Sequence, residues 1–323
     1  MEWQTPRAED VLWDAPRTFF GVPSVRDLGA LEARVAFLGV PFDAGTPQPG
    51  NRTGQRAGPT AARLSSWETF AYGATPDNGA LGWYDIEADR MQLVGVTMAD
   101  VGDVAIQGAD ESGNFARLTA AARGIVERGS LLVAVGGDHS ISFPLGRGVA
   151  AHYRDLDVVH LDAHADFLDQ LDESRYSGAS QLRRLAELPE VRQVTALGLR
   201  NVDSSEADGM RALGTRWATT LDLVTHGAAA IVPELVQADR PLYVSIDLDV
   251  LDMPLVPGTT LPEPGGLSFR ELRSILTEVA RRGRVVGFDI AELNPPYDPS
   301  GITARLAVWI IVYFLCEIFD QPR

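Results

Sequence analysis

The feature that most constrains the fold of this sequence is a regular alternation of short, β-rich runs with longer helix-like segments, which starts near Arg34. Such alternation is typical of βαβ units, in which strands lie side by side in a mainly parallel sheet and helices cover its faces. The sequence therefore predicts an α/β domain. The predicted strands span residues 35–40, 131–135, 156–161, 193–199, 241–246 and 284–290.

Helix signals lie between the predicted strands. One helix is predicted from Phe115 up to a closing glycine, and Ser268 with Glu271 forms a capping box at the start of another. Pro59 suits the first turn of a further helix. Two long segments rich in glycine and proline are predicted to be loops, and loops of that length in a compact domain are usually functional or disordered. They span residues 46–59 and 253–266.

Polar residues follow four of the predicted strands, at the point where each strand ends. In an open α/β sheet, ligands bind in the crevice beyond the carboxyl ends of the strands. An Asp-x-His-x-Asp cluster and an Asp-x-Asp cluster have a spacing of two, which projects their side chains to one face of an extended chain. A further histidine follows a Gly-Gly-Asp turn. The set is His139, Asp162, His164, Asp166, Asp247 and Asp249.

This set of side chains predicts a binding site for two divalent metal ions. Its four carboxylates carry too much negative charge to cluster without cations. Six ligands exceed the needs of one tetrahedral zinc ion but suit a dinuclear site in which carboxylates bridge. A carboxylate-rich set favours Mn²⁺, although Ni²⁺, Co²⁺ or Zn²⁺ can substitute. His160, which lies inside a predicted strand, is expected to have a structural role instead.

Hydrolysis is the predicted reaction class. Two metal ions about 3.5–4 Å apart share one water, lower its pKa and present hydroxide to an electrophilic carbon. Asp166 is the candidate proton acceptor. Glu292 follows the last predicted strand, and its carboxylate suits a planar guanidinium bound by two parallel hydrogen bonds. The alternative for Glu292 is an acid at a helix start or on the surface.

Composition excludes some classes of partner. The 28 basic and 44 acidic residues give a net charge of −16, which disfavours nucleic acid or an anionic membrane as a partner. The single cysteine, Cys316, forms no internal disulfide, and the N-terminus lacks the order of a secretory signal, so we expect a cytoplasmic protein. The apolar run from Leu306 to Cys316 has about half the length that spans a bilayer, and we interpret it as a buried core helix.

Four motifs, in order along the chain, resemble the signatures of the ureohydrolases, the family of arginases and agmatinases. They are GGDHS, DAHAD, SIDLDVLD and GFDIAELNPPYDPSGIT, and an earlier segment, GVPFDAGTPQPGNRTGQRAGPTAAR, is also similar. The similarity looks closest to the agmatinases. It implies a three-layer α/β/α sandwich formed by a single domain over residues 34–323. Residues 1–33 are then an extension that packs on the domain or on a neighbouring subunit.

The resemblance also implies how the metals are held and which reaction they serve. The expected reaction is the hydrolysis of a guanidino carbon–nitrogen bond to urea and an amine. Glu292 matches the acid that holds the guanidinium, and the expected assembly is a homotrimer or homohexamer. One metal is expected on His139, Asp162, Asp166 and Asp247, and the other on Asp162, His164, Asp247 and Asp249, with Asp162 and Asp247 bridging.

One position departs from the family pattern. Arginases and agmatinases carry a His-Gly dipeptide whose histidine is thought to protonate the leaving amine, whereas this chain has Ser177-Gly178. A serine does not protonate an amine at neutral pH as imidazole does. The substrate therefore stays open between agmatine and guanidinobutyrate, formiminoglutamate, guanidine or a biguanide. A second hypothesis is a weakly active or non-catalytic metal-binding subunit that works with a paralogue. Ser177, Tyr176 and Asn51 are predicted to contact the substrate beside Glu292.

Overall fold

A nine-stranded sheet forms the centre of the molecule, in the order β1-β5-β2-β6-β11-β10-β7-β8-β9. Its neighbouring strands are parallel except for β1, which pairs antiparallel with β5. Strands β3 and β4 form a separate antiparallel hairpin. The strands are β1 Leu12–Trp13, β2 Val35–Gly39, β3 Trp83–Asp85, β4 Arg90–Gln92, β5 Met98–Val104, β6 Leu131–Val135, β7 Leu156–Leu161, β8 Val191–Leu199, β9 Arg216–Thr219, β10 Pro241–Asp247 and β11 Arg284–Ala291.

Helices lie on both faces of this sheet, within the part of the chain that the structure describes. The structure is a computed structural model, and it describes residues 11–13, 17–45, 52–70, 82–108 and 110–319. The helices are α1 Gly58–Phe70, α2 Glu111–Glu127, α3 Ser142–Ala150, α4 Gln181–Ala186, α5 Ser204–Ala212, α6 Thr220–His226, α7 Ala228–Leu235, α8 Phe269–Arg282 and α9 Ile302–Phe319.

The core is split by the sheet into two layers of apolar side chains. Successive residues of a strand point to opposite faces, and β2 shows the result. Val35 and Phe37 pack with the layer that contains residues of α1, α8 and α9. Ala36 and Leu38 pack with the opposite layer, which contains residues of α2 and α3. The arrangement is the predicted three-layer α/β/α sandwich with a mainly parallel sheet.

The predicted strands are all present, and their ends agree with the prediction to within two residues. The capping box of α8 is also present, because Ser268 accepts from the amide of Glu271 and the Glu271 carboxylate accepts from the amide of Ser268. Helix α2 begins four residues earlier than predicted, since Asp110 caps it by accepting a hydrogen bond from the amide of Gly113. Strands β1, β5 and β9 and the β3–β4 hairpin were not predicted.

Helix α9 contains the apolar run that the sequence analysis interpreted as a core helix. By length and composition this helix is long and apolar enough to cross a membrane. It packs, however, against α1, α8 and β11, and residues such as Val308, Ile311 and Phe314 are buried in the core. Cys316 near its end is buried and not disulfide-bonded. The helix therefore serves as part of the layer that covers one face of the sheet.

A buried ion cluster joins α1 to β5. Arg63 is fully buried, and its guanidinium donates to the carboxylate of Asp100 at 2.8 and 3.1 Å and to Asp103 at 2.6 Å. Its plane also lies over the ring of Phe19, with 4.6 Å between the guanidinium carbon and the ring centre. Removing one partner of a buried ion pair is costly because the remaining charge stays in the interior.

We expect Arg63→Met to lower the free energy of unfolding by about 3–5 kcal/mol, since both aspartates lose their counter-charge. The measurement is urea-induced unfolding followed by circular dichroism. Arg56→Met is the matched control, because the pair of Arg56 with Asp43 is exposed on the arginine side and such a pair contributes only about 0–1 kcal/mol. If both variants lost the same free energy of unfolding, burial of the Arg63 ion pairs would not be the cause of the loss.

Candidate metal centre and active site

The four strands that carry the polar clusters are neighbours in the sheet, in the order β6, β11, β10, β7. Their carboxyl ends therefore meet at one edge. His139 follows β6, Asp162 follows β7, Asp247 ends β10 and Glu292 follows β11. The chain visits β6 and β7 long before β10 and β11, so this adjacency comes from the topology of the sheet and not from closeness in sequence.

Tight turns aim these side chains into the crevice. Between β6 and His139, Gly136 and Gly137 have φ values of 91° and 86°, which glycine adopts without steric cost. A Cβ atom on Gly136 would lie 2.3 Å from the Pro59 side chain, so the strand end and the start of α1 approach too closely for a larger residue. Asp138 then caps a short 3₁₀ turn by accepting from the amide of Ser140 at 3.0 Å.

Two site residues hold an unusual backbone conformation. Asp166 and Glu292 have φ values of 50° and 63°. Residues with a side chain rarely occupy this left-handed region, and where they do so in a well-packed environment the strain is often found at functional sites. Both are buried. Directing these two carboxylates into the crevice therefore costs conformational free energy.

Three carboxylate oxygens surround one nitrogen of His139. Its Nδ1 lies 2.9 Å from Asp162 Oδ2, 3.0 Å from Asp166 Oδ2 and 3.0 Å from Asp247 Oδ2. A single N–H group donates well in one direction only. Among the described residues, His139 Nδ1 and Asp162 Oδ2 are buried atoms without a hydrogen-bond partner. Buried polar atoms of this kind that face each other fit a cation at their common centre.

A second group of ligand atoms adjoins the first. His164 Nδ1 lies 3.0 Å from Asp249 Oδ2 and 3.4 Å from Asp162 Oδ1. The nitrogen and oxygen atoms of Asp162, His164 and Asp249 are close enough together to hold a metal ion. Since Asp162 contributes one oxygen to each group, the geometry fits two cations that share this carboxylate. The two groups together contain the six side chains predicted as ligands, whereas the predicted bridging role of Asp247 is not seen in the contacts of the second group.

The electrostatics of the cluster favour bound cations. Burial, followed by the charges of Asp249 and Asp162, raises the pKa of Asp247 well above its usual range. Burial and the charge of Asp162 raise the pKa of Asp249 to about 6. Burial lowers the pKa of His139, but the close carboxylates of Asp162, Asp166 and Asp247 outweigh it and raise this pKa well above the usual value. Divalent cations relieve the repulsion that these shifts reflect.

The opposite nitrogen of His139 is held by a hydrogen-bonded network. Its Nε2 lies 2.8 Å from Ser245 Oγ, which in turn bonds Ser142 Oγ at 3.0 Å and the carboxylate of Asp289 at 3.2 Å. Asp289 also accepts a short hydrogen bond from Tyr243. Since Ser245 donates its own hydroxyl hydrogen within this network, it can accept from Nε2, and a neutral ring with its proton on Nε2 would present a bare Nδ1 as a ligand.

Glu292 lies beside the candidate metal ligands and is held by hydrogen bonds from three residues. Its Oε1 accepts from the amide of His139 at 2.7 Å, and its Oε2 accepts from Gln55 Nε2 at 3.1 Å and from the hydroxyl of Thr260 at close range. Burial and the charge of Asp138 raise its pKa to about 7. The sequence analysis missed Gln55 and Thr260, although both lie in the two long loops that it singled out.

Glu292 and five of the six candidate ligands, all except Asp162, line one cavity with a volume of about 230 Å³. Its walls come from the loops and helices around the sheet edge. Neither lysine nor arginine occurs among the described residues that line it. These residues are Gly45, His139, His164, Asp166, Leu168, Leu171, Gly178, Ala179, Glu206, Asp247, Asp249, Thr260, Leu261 and Glu292.

Neither Ser177 nor Tyr176, which were also predicted to contact the substrate, is among the described residues that line the cavity. Ser177 is buried, and its hydroxyl lies 3.1 Å from that of Ser180. Its neighbour Gly178 lines the cavity, whereas Ser177 is not among the described lining residues. Tyr176 stacks on Phe143, with 5.7 Å between ring centres. Asn51 lies outside the described residues.

Comparison with known proteins gives an independent view of the chain. Residues 33–316 match the family model described as the Arginase family. A mitochondrial guanidino acid hydrolase from Homo sapiens is 32% identical over 294 residues, which cover 88% of this chain and 78% of that protein. A guanidinopropionase from Pseudomonas aeruginosa is 32% identical over 312 residues, which cover 94% of this chain and 92% of that protein.

The fold is also found in solved structures. The structure of proclavaminate amidinohydrolase from Streptomyces clavuligerus superimposes with a TM-score of 0.79 and 30% sequence identity, over 94% of this chain and 97% of that chain. The family match over residues 33–316 contains the strands of the main sheet from β2 to β11 and the polar clusters at their ends.

Proposed function

Because the chain belongs to the Arginase family, whose members hydrolyse guanidino carbon–nitrogen bonds, we propose that it is an agmatinase-like amidinohydrolase that releases urea and an amine. The observation that carries the proposal is the cavity lined by Glu292 and by five of the six candidate ligands, with the sixth, Asp162, in contact with His139 and His164 behind them. We propose Mn²⁺ as the native metal, with Ni²⁺, Co²⁺ and Zn²⁺ as substitutes. When bound, two divalent ions supply a water of lowered pKa as the nucleophile.

The protein's own residues position the substrate. Glu292 lines the cavity, and its two carboxylate oxygens have four lone pairs, of which three accept from His139, Gln55 and Thr260, so one position on Oε1 remains. In the proposed complex this position accepts a charge-assisted hydrogen bond from the guanidinium. The carbon to be attacked then lies next to the metal ligands, because Glu292 and His139 are joined directly by a hydrogen bond.

Asp166 is the proposed proton acceptor. Its carboxylate lines the cavity, with Oδ2 3.0 Å from His139 Nδ1 and 3.3 Å from Gln181 Nε2. A carboxylate at this position is within reach of a water that attacks the guanidino carbon, and it would take the proton that the water loses. Its left-handed backbone conformation holds it there. The proposed catalytic residues are therefore Asp166 and Glu292.

The residues of the cavity wall indicate which kind of substrate tail would fit the site. Leu168, Leu171 and Leu261 supply an apolar surface, and Glu206 adds a buried carboxylate. With no lysine or arginine among the described lining residues, a carboxylate at the end of the tail has no counter-charge there. A neutral or amine-ended tail suits this wall better. This supports agmatine over the carboxylate-ended guanidino compounds.

The test is urea release by the purified chain, stripped of metal and reloaded separately with Mn²⁺, Ni²⁺, Co²⁺ and Zn²⁺. We expect turnover of agmatine with Mn²⁺ and weaker turnover of 4-guanidinobutanoate, whose tail has the same length but ends in a carboxylate. Formiminoglutamate, guanidine and a biguanide complete the panel and are scored by consumption of the compound, since formiminoglutamate yields formamide and glutamate instead of urea. Silence of metal-loaded protein on every compound would contradict the proposed activity and favour a non-catalytic subunit.

The same preparation tests the proposed assembly. Family membership supports a homo-oligomer of three or six chains. Of the proposed N-terminal extension, residues 1–10 and 14–16 lie outside the described residues. Size-exclusion chromatography with light scattering gives the number of chains directly.

A further inference from the structure

Two buried polar side chains lie behind the candidate metal centre and belong to none of the roles assigned so far. His160 lies within β7 and is fully buried, and Gln181 is the first residue of α4 with 1% of its surface exposed. Burying polar groups costs free energy unless they are paired. Their contacts lead from the protein interior to two of the candidate ligands, Asp162 and Asp166.

His160 contacts the carboxylate that the two metal positions would share. Its Nε2 lies 3.1 Å from Asp162 Oδ2, the same oxygen that lies 2.9 Å from His139 Nδ1. The ring of His160 also stacks on the ring of His139, with 5.0 Å between centres and 20° between planes. His160 therefore contacts two candidate ligands, Asp162 and His139, and limits the movement of both.

Gln181 connects this imidazole to a second candidate ligand. Its side-chain nitrogen lies 3.3 Å from His160 Nδ1 and 3.3 Å from Asp166 Oδ2. An amide nitrogen carries two hydrogens and can donate to both. Because an ionised carboxylate only accepts hydrogen bonds, the nitrogen of Gln181 and not its oxygen must face Asp166.

This orientation determines which nitrogen of His160 carries the proton. With Gln181 donating to Nδ1, the proton of the neutral ring lies on Nε2. That nitrogen faces Asp162 Oδ2 and the backbone carbonyl of His164, which is 3.4 Å away. A protonated Nε2 is a hydrogen-bond donor and not a metal ligand. Gln181 thus fixes the orientation of the His160 ring, whose Nε2 bonds the carbonyl of His164 and lies against the carboxylate of Asp162.

We propose that Gln181 and His160 are positioning residues, which orient the carboxylates of Asp162 and Asp166 for metal binding without contacting substrate. The inference rests on the proposed function, since it concerns the metal site of that activity. Groups that orient the ligands of a metal typically change its affinity by about 10–100-fold when removed. The effect should extend to both metals because Asp162 adjoins both groups of ligand atoms.

The experiment compares Gln181→Met with Gln193→Met. The first substitution keeps the length of the side chain but removes both donors. The second makes the same change on β8, where Gln193 bonds only the backbone carbonyls of Val194 and Gly214. Mn²⁺ binding to metal-free protein is measured by calorimetry, together with the thermal midpoint of the metal-free form.

For Gln181→Met we expect the Mn²⁺ dissociation constants to rise about 10–100-fold, with two ions still bound at saturation and turnover recovering there. Gln193→Met should match the wild type. Unchanged affinity with a lowered thermal midpoint would mean that Gln181 only packs, which overturns the proposal. A wild-type chain that binds no Mn²⁺ would overturn the proposed function as well.

A second pair of variants guards against misfolding and tests whether His160 is itself a ligand, since His139, His160 and Asp162 are close enough together to hold an ion. His160→Gln retains a donor near the Nε2 position, whereas His160→Leu retains none. We expect affinity for His160→Gln to lie between those of His160→Leu and the wild type, with two ions bound in each. Loss of one ion in both variants would identify a ligand and overturn the positioning role.

Discussion

Asp247→Asn is expected to abolish high-affinity metal binding and to reduce turnover to less than about one thousandth of the wild type, since the metals supply several kcal/mol of transition-state stabilisation. The substitution preserves size, and the asparagine oxygen can still accept from the amide of Asp249, as Asp247 does at 2.8 Å. What it removes is one of the charges that the cations require. Metal content by mass spectrometry and urea release measure the two effects.

The same variant should be more stable than the wild type when both are free of metal. Burial and neighbouring carboxylates raise the pKa of Asp247 well above its usual value. An acid whose pKa is higher in the folded than in the unfolded state destabilises the fold at every pH above its unfolded value, so neutralising it removes this penalty at pH 7. We expect a higher thermal midpoint for the metal-free variant and no further rise when Mn²⁺ is added.

Asp252→Asn is the matched control for both effects. Asp252 lies five residues further along the chain, accepts from the amide of Gly266 at 3.1 Å and is not among the described cavity-lining residues. It should retain metal and turnover. A metal-loaded and active Asp247→Asn protein would show that the ligand assignment is wrong.

Glu292→Gln is expected to lower kcat/KM at least about 30-fold, because truncating one partner of a buried, hydrogen-bonded charge pair costs about 2–5 kcal/mol. The metal content should not change, since Glu292 is assigned to the guanidinium and not to the metals. Glutamine keeps the length of the side chain and an oxygen that can accept from Gln55 or Thr260. Steady-state kinetics with agmatine, together with metal analysis, separate these roles.

The control for this prediction is Glu271→Gln, which lies at the start of α8 in the capping box with Ser268. Its kinetics should match the wild type. If Glu292→Gln lost its metals, the carboxylate would have to be counted among the groups that organise the metal centre. If its kcat/KM stayed within about two-fold, Glu292 would not hold the guanidinium, because the expected loss corresponds to more than one factor of ten.

The candidate ligands were predictable from the sequence because their arrangement is local. The spacing of two in Asp162-x-His164-x-Asp166 and in Asp247-x-Asp249, and the position of each cluster directly after a β-rich run, depend only on neighbouring residues. A strand followed by a turn places such side chains at the carboxyl edge of any parallel sheet. The motifs' resemblance to the ureohydrolases pointed to the same residues, and the family match confirms that resemblance.

The contacts of His160 could not be predicted from the residues next to it in the sequence. A histidine inside an apolar strand is usually a packed core residue, and the sequence analysis interpreted it so. Its contacts with Asp162 and Gln181 depend on how β7, its following turn and α4 come together in space. The environment of Glu292 has the same origin, since Gln55 lies 237 residues away from it along the chain.

The sequence by itself determined the fold class, the strands that end at the site and the identity of the candidate ligands, because periodicity and turn residues act over a few positions. Only the tertiary structure decided that β6, β11, β10 and β7 are neighbours and that three leucines and Glu206 form the wall of the cavity. Strand order and cavity walls arise from contacts between distant segments, which burial of the whole core selects and which no local pattern encodes.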